Sequence, residues 1–100
     1  MTITKKQDGA ELSVFLEGRL DTVTAPELEQ ELKASLDGVS ALTLDMEKLE
    51  YISSAGLRVL LTAHKTMNCQ GSMKLRHVNE TVMDIFEVTG FSDILTIEQG

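Results

Sequence analysis

The chain has 100 residues, 42% apolar and 25% charged, enough for one domain with a single core and no staples. Its net charge of −7 argues against nucleic acid or an anionic membrane as a direct partner and points to a basic surface on another protein. A single cysteine, Cys69, leaves no internal disulfide framework and fits a cytoplasmic setting. The longest apolar run is too short to span a membrane, and Met1–Lys6 lacks the apolar stretch of a signal peptide.

In chain order, Thr2–Gln7 and Glu11–Glu17 read as two strands joined by the turn signal Asp8-Gly9, a β-hairpin with Leu12, Val14 and Leu16 on one face. Gly18–Thr24 reads as a connector. Thr24-Ala-Pro-Glu27 combines capping-box spacing with proline in the first turn, so a helix starts there. Its inner face is Ala25, Leu28, Leu32, Ser35 and Leu36, and Asp37-Gly38 ends it.

Leu42–Met46 alternates large apolar residues and reads as a buried strand. After Glu47–Ile52, the run Leu57–Met67 sets Leu57, Leu60, Leu61, His64 and Met67 on one helical face, closed by Asn68–Gly71. Met73–Val78 alternates as a strand, Asn79 caps a short helix Glu80–Val88, Gly90 stops it, and Asp93–Ile97 reads as a last strand. The order is ββαβαβαβ, an α/β domain over residues 1–100 whose mixed sheet has four or five strands, an N-terminal hairpin and three helices.

Chemistry concentrates at Ser53-Ser54-Ala55-Gly56. A helix start carries unpaired N–H groups and the positive end of the dipole, which suits a hydroxyl and suits a phosphate better. Serine is also a common N-cap, so this position alone does not mark a site. Gly56 costs a helix about 1 kcal/mol relative to alanine, which points to something approaching the backbone closely. Elsewhere the signals are bland. His64 reads as a core-edge residue and His77 as a strand residue. Cys69 does not share a helical face with His64, so neither zinc nor a Cys–His nucleophile is expected. There is no G-x-S-x-G elbow and no P-loop, so neither an enzyme nor a cofactor is expected.

Leu44-Asp45, Tyr51-Ile-Ser-Ser-Ala-Gly-Leu57, Gly18-Arg-Leu-Asp21, Thr24-Ala-Pro-Glu-Leu28 and Val88-Thr-Gly-Phe91 together resemble the STAS family, specifically the single-domain bacterial anti-sigma factor antagonists. The resemblance covers essentially the whole chain. It implies a cytoplasmic switch in which the unmodified protein binds an anti-sigma factor that is also a serine kinase, freeing the sigma factor. The kinase phosphorylates one serine and is released; a PP2C-type phosphatase resets the cycle. By motif position the acceptor is Ser54, with Ser53 as a rival, because the position before the acceptor often holds Asp in the family. Glu47 likewise stands where Ser or Thr is frequent. The resemblance assigns partner contact to Asp21, Thr22, Ser53, Ser54, Ala55, Gly56 and Arg58. Two other readings stand beside it: a STAS scaffold in a stressosome-like or transporter-associated assembly without a phospho-switch, and a small hydrolase using Ser54.

Overall fold

The computed structural model describes residues 1–98. Strand β1 (Thr2–Asp8) and strand β2 (Glu11–Leu20) form the expected antiparallel hairpin, with Gly9 supplying the positive φ of the turn. Helix α1 (Ala25–Ser35), strand β3 (Ala41–Ile52), helix α2 (Ser54–Gln70), strand β4 (Ser72–Arg76) and helix α3 (Glu80–Thr89) follow. The sheet order is β1-β2-β3-β4, and both β2–β3 and β3–β4 are parallel. Each parallel step needs a crossover, and α1 and α2 supply them.

Burial follows strand parity. Leu12, Val14, Leu16, Leu42, Leu44, Met73 and Leu75 face the helices and are buried, whereas Phe15, Glu17 and Lys74 on the other side are exposed. The helices therefore cover one face and leave the other largely open. At the covered edge, Lys5 of β1 reaches α1, pairing with Glu31 at 2.8 Å and donating to the Ser35 hydroxyl at 3.0 Å.

Two strands run longer than the alternation predicts, and for the same reason. Phe15 lies opposite Asp45 but Glu17 opposite Lys48, and Gly18 lies opposite Leu49 but Arg19 opposite Tyr51. Strand β3 thus carries one extra residue at each of two bulges. Each bulge shifts the phase of the pleat, so inward positions fall at Leu42, Leu44 and Met46 and then at Leu49 and Ile52. The carboxylate of Asp45 closes the first bulge by accepting from the Glu47 N–H at 3.1 Å. With its partner extended, β2 continues through the expected connector to Leu20.

In α2 the buried row is Gly56, Leu57, Val59, Leu60, Ala63 and Met67, while Leu61 and His64 sit at its margin, a rotation of the expected face toward Val59 and Ala63. Asn79 caps α3 as predicted, accepting from the Val82 N–H at 2.9 Å, and its amide also donates to the Leu49 carbonyl at 2.7 Å. Gly90 ends α3 in the left-handed region. The expected strand Asp93–Ile97 is reduced. Phe91–Asp93 winds into a 3₁₀ turn, and only Ile97 bridges β4, in parallel with Leu75 through the bonds Leu75 N to Thr96 O and Glu98 N to Leu75 O. The turn consumes the residues a longer strand would need.

Gly56 shows why its position excludes a side chain. A Cβ there would lie 2.7 Å from Leu20 Cγ and 2.8 Å from Ile52 Cγ1, atoms near the backbone that cannot swing away. The close approach inferred from sequence is to the protein's own sheet. Gly56→Ala is expected to lower stability by about 1–3 kcal/mol in urea denaturation, the overpacking cost outweighing the helix-propensity gain. Asn79→Ala is expected to cost about 0.5–2 kcal/mol as a lost cap, with Asn79→Asp intermediate because it keeps the cap and loses the donor to Leu49.

Candidate functional site

The site forms where β2 and β3 end side by side. Leu20 pairs with Ile52, and the next N–H along β3, that of Ser53, donates to the Leu20 carbonyl at 2.8 Å. The loops leaving the two strands, β2 to α1 and β3 to α2, are therefore neighbours. Of the residues singled out in the sequence, this brings together Asp21 and Thr22 from one loop with Ser53, Ser54, Ala55 and Gly56 from the other; Arg58 follows one turn along α2.

The two serines have different tasks. Ser53 is the N-cap, in an extended conformation, with its hydroxyl accepting from the Gly56 N–H at 3.4 Å and its carbonyl accepting the first helical bond from Leu57 at 2.9 Å. Ser54 is the first residue of α2 and is exposed. Ala55 is half-buried, and Gly56 is turned inward onto Leu20 and Ile52, so it contributes shape and not surface. The first turn of α2 holds no acidic side chain, leaving the positive end of its dipole without a fixed counter-charge. Arg58 is exposed and stands four residues after Ser54, the spacing at which helix side chains meet.

Charge is distributed unevenly along the sequence. From Tyr51 to Asn79 the sequence contains no Asp or Glu, while Arg58, Lys65, Lys74 and Arg76 all lie there. A locally cationic segment sits inside an acidic protein. At the strand end, the Arg19 guanidinium lies 4.5 Å from the centre of the Tyr51 ring.

Asp21 is fixed by its own turn. Its carboxylate accepts from the Val23 and Thr24 N–H groups at 3.0 and 3.1 Å. The Thr24 hydroxyl accepts from the Asp21 N–H at 2.9 Å and donates to the Arg19 carbonyl at 2.7 Å. Thr24 is thus the N-cap of α1 by position, but its side chain makes no cap bond, and the expected capping box does not form. The hydroxyl is spent on the turn instead. Hydrogen bonding from the Thr24 backbone holds the Asp21 carboxyl below its ordinary value; burial opposes this, and the Val23 N–H, the Thr24 hydroxyl and the Arg19 charge add to the lowering.

One cluster was not read from the sequence. Asp45 is 7% exposed on the open side of the sheet, and its Oδ2 lies 3.0 Å from His77 Nδ1 and 3.8 Å from Arg76 Nε. His77 is not a strand residue as expected: it follows β4 with a φ of 56°, in the left-handed region that non-glycine residues enter at a cost. Among the described residues, Asp45, Glu47 and His77 have ligand atoms within 4.8 Å of one another. The Asp45 carboxylate is already engaged by the Glu47 N–H and His77, and a guanidinium stands beside it. The cluster reads as a latch joining the β3 bulge to the end of β4. No sequence signal marks it, because it depends on cross-strand register.

Comparison with known proteins accords with this geometry. A family model described as the STAS domain matches residues 2–100. A Bordetella bronchiseptica protein, described provisionally as the anti-sigma factor antagonist BtrV, is 37% identical over 99 residues, covering 97% of this chain and 85% of its own. The crystal structure of an anti-sigma factor antagonist from Mycobacterium paratuberculosis superposes with a TM-score of 0.88 at 23% identity, covering 99% of this chain and 86% of that one. SpoIIAA, described as a Bacillus cell fate determinant and solved in its phosphorylated form, superposes with a TM-score of 0.75 at 15% identity, covering 98% and 92%. No helix among the described residues is long and apolar enough to cross a membrane. With a family match over nearly its whole length and relatives that are regulatory antagonists, the chain belongs to the STAS domain family.

Proposed function

We propose that this chain is a phospho-switched anti-sigma factor antagonist. Unmodified, it binds an anti-sigma factor that is also a serine kinase; phosphorylation of Ser54 releases that partner, and a PP2C-type phosphatase restores binding. It acts in the cytoplasm as a binding protein and catalyses no reaction of its own. The observation that carries the choice of residue is the division between the serines: the Ser53 hydroxyl is engaged as a cap, whereas Ser54 is exposed on the first turn. Ser54, Arg58 and Thr22 supply contact surface, Asp21 holds its loop in place beside them, and Ser53, Ala55 and Gly56 shape the helix start.

The energetics fit a single modification. A phosphoserine adds about −1.5 to −2 charge and three acceptor oxygens. Within the chain that charge meets a helix N-terminus and Arg58, both favourable. Across an interface it must be desolvated or meet acidic groups of the partner. One like-charge contact at about 4 Å, with an effective dielectric near 20, is worth about 4 kcal/mol. A hundredfold release needs only about 2.7 kcal/mol.

Incubation with ATP and the anti-sigma kinase of the same cell, followed by phosphopeptide mass spectrometry, is expected to place one phosphate on Ser54 that is absent from Ser54→Ala. A phosphate on Ser53 would move the site by one residue; none on either would overturn the switch and favour the constitutive scaffold. In titration calorimetry Ser54→Ala should bind the kinase like the unmodified protein, and Ser54→Asp about a hundredfold more weakly. Thermal denaturation should meanwhile find Ser54→Asp as stable or more so, by up to about 1 kcal/mol, since it adds an acidic side chain at a helix N-terminus.

Asp21 makes a separate prediction with a defined sign. Its carboxyl is held below the ordinary value of 3.8, so its contribution to stability is complete above that value and is lost as pH falls through the lower folded value. Acid denaturation of Asp21→Ala should lack this component, and Asp21→Asn, which can still accept from the turn N–H groups, should restore part of the neutral-pH stability.

A further inference from the structure

The connection His77-Val78-Asn79, which joins β4 to α3, grips strand β3 at two points. The first is Asp45. Its Oδ1 accepts from the Glu47 N–H at 3.1 Å, and its Oδ2 lies 3.0 Å from His77 Nδ1 and 3.8 Å from Arg76 Nε. The second is Leu49, whose carbonyl accepts from the Asn79 side-chain amide at 2.7 Å. Both points have the same place in the ladder. Asp45 is the last residue in register before the first bulge, and Leu49 is the last before the second.

The strand needs holding there. Its pairing with β4 ends at Asp45–Arg76, and from there to Ile52 it runs on beside β2. A bulge leaves one residue unpaired and loosens the ladder locally, and this stretch contains two. The Asn79 amide takes the Leu49 carbonyl beyond the point where β4 stops. His77 makes its own contact from the left-handed region, φ 56°, which a non-glycine residue keeps only where its surroundings fix it.

The bulges decide where the site falls. On the register of the first half of the strand, with Phe15 opposite Asp45, Leu20 would face Glu50; the two extra residues bring Ile52 there instead. Only then does the Ser53 N–H meet the Leu20 carbonyl, at 2.8 Å, with Ser54 opening α2 immediately after. We infer that Asp45 and Asn79 are positioning residues for the switch: by pinning the two bulges from the β4–α3 connection, they set Ser54 level with the loop of Asp21. The role assigned to Ser54 rests on the switch reading above; the clamp itself does not.

The test uses Asp45→Ala, Asp45→Asn and Asn79→Ser. Asn79→Ser keeps an N-cap for α3 and removes the amide that reaches Leu49. Asp45→Asn keeps an acceptor for the Glu47 N–H. In amide hydrogen exchange by NMR, Ser53 should exchange about tenfold or more faster in Asp45→Ala and Asn79→Ser, beyond any change at Leu44, which lies before both bulges. Asp45→Asn should restore much of the protection. Phosphorylation of Ser54 by the anti-sigma kinase of the same cell should lose about tenfold in kcat/KM in the first two variants, with circular dichroism showing each folded. An unchanged Ser53 amide, or equal acceleration at Ser53 and Leu44, would overturn the inference and leave the switch standing. Normal phosphorylation of both variants despite a freed Ser53 amide would overturn it as well. An unmodified chain that the kinase does not phosphorylate would overturn the switch reading, and the positioning role with it, whatever the exchange shows.

Discussion

The site depends on two parallel strands ending level with one another. The Ser53 N–H reaches the Leu20 carbonyl only because Leu20 and Ile52 are paired, and that pairing survives because β3 absorbs two extra residues as bulges. Gly56 then lets the first turn of α2 settle onto the same two side chains. Level strand ends make neighbours of two loops separated by about thirty residues of chain, one rigid through Asp21 and Thr24, the other opening the helix. In open α/β sheets the carboxyl ends of parallel strands are where ligand-binding loops converge, and the proposed partner surface lies at that place. The functional corner and the core are therefore built from the same contacts, and the residues that hold the corner are buried while those that face outward are few.

The cap explains how a modification can alter the surface without disturbing the fold. Had the exposed hydroxyl also been the cap, phosphorylating it would have replaced a hydrogen bond that the helix needs. Ser53 performs the capping, so Ser54 is free of structural duty. The charge added at Ser54 meets unpaired N–H groups at the point of the helix best able to accept it. In the proposed switch, the cost of the modification falls on the interface and not on the protein.

The sequence shows the hairpin, the three helices and the cap of α3, because those rest on local signals: Asp8-Gly9, Pro26, Asn79 and Gly90, with apolar periodicity between them. It also brings out the helix start at Ser53-Ser54, since the motif is contiguous. What it hides is what depends on register. The inward positions of β3 run Leu42, Leu44, Met46, Leu49, Ile52, a spacing that changes at the first bulge, so alternation ends at Met46 although the strand does not. The Asp45–His77 latch spans two strands and cannot be placed without knowing which residues face each other. Thr24 misled for a different reason: the spacing to Glu27 fits a capping box, but Asp21 competes for the same hydroxyl and wins. The final strand shrinks to a single bridge at Ile97 because Gly90 releases the chain into a 3₁₀ turn.

The overall charge of −7 points to a basic partner surface, but α2 itself carries Arg58 and Lys65 and no acidic residue. Between Tyr51 and Asn79 there are four Lys or Arg residues and no acidic one, and two of those cations, Arg58 and Lys65, belong to α2 itself. Half of the acidic residues lie on α1 and on the segment from Glu80 onward, and Asp21 and Glu50 flank the site. At interface distances the near charges dominate, because salt screens those beyond about 10 Å. In the proposed switch, a partner meeting the start of α2 faces the exposed Arg58 with neutral or acidic groups. In the proposed switch, phosphorylating Ser54 acts on that match twice. It repels the acidic groups of the partner directly, and at four residues' spacing it draws Arg58 away from them into an intrahelical pair. In the proposed switch both effects push in the same direction, so one phosphate beside Arg58 would act on the interface while the net charge of the molecule changes by only about −2.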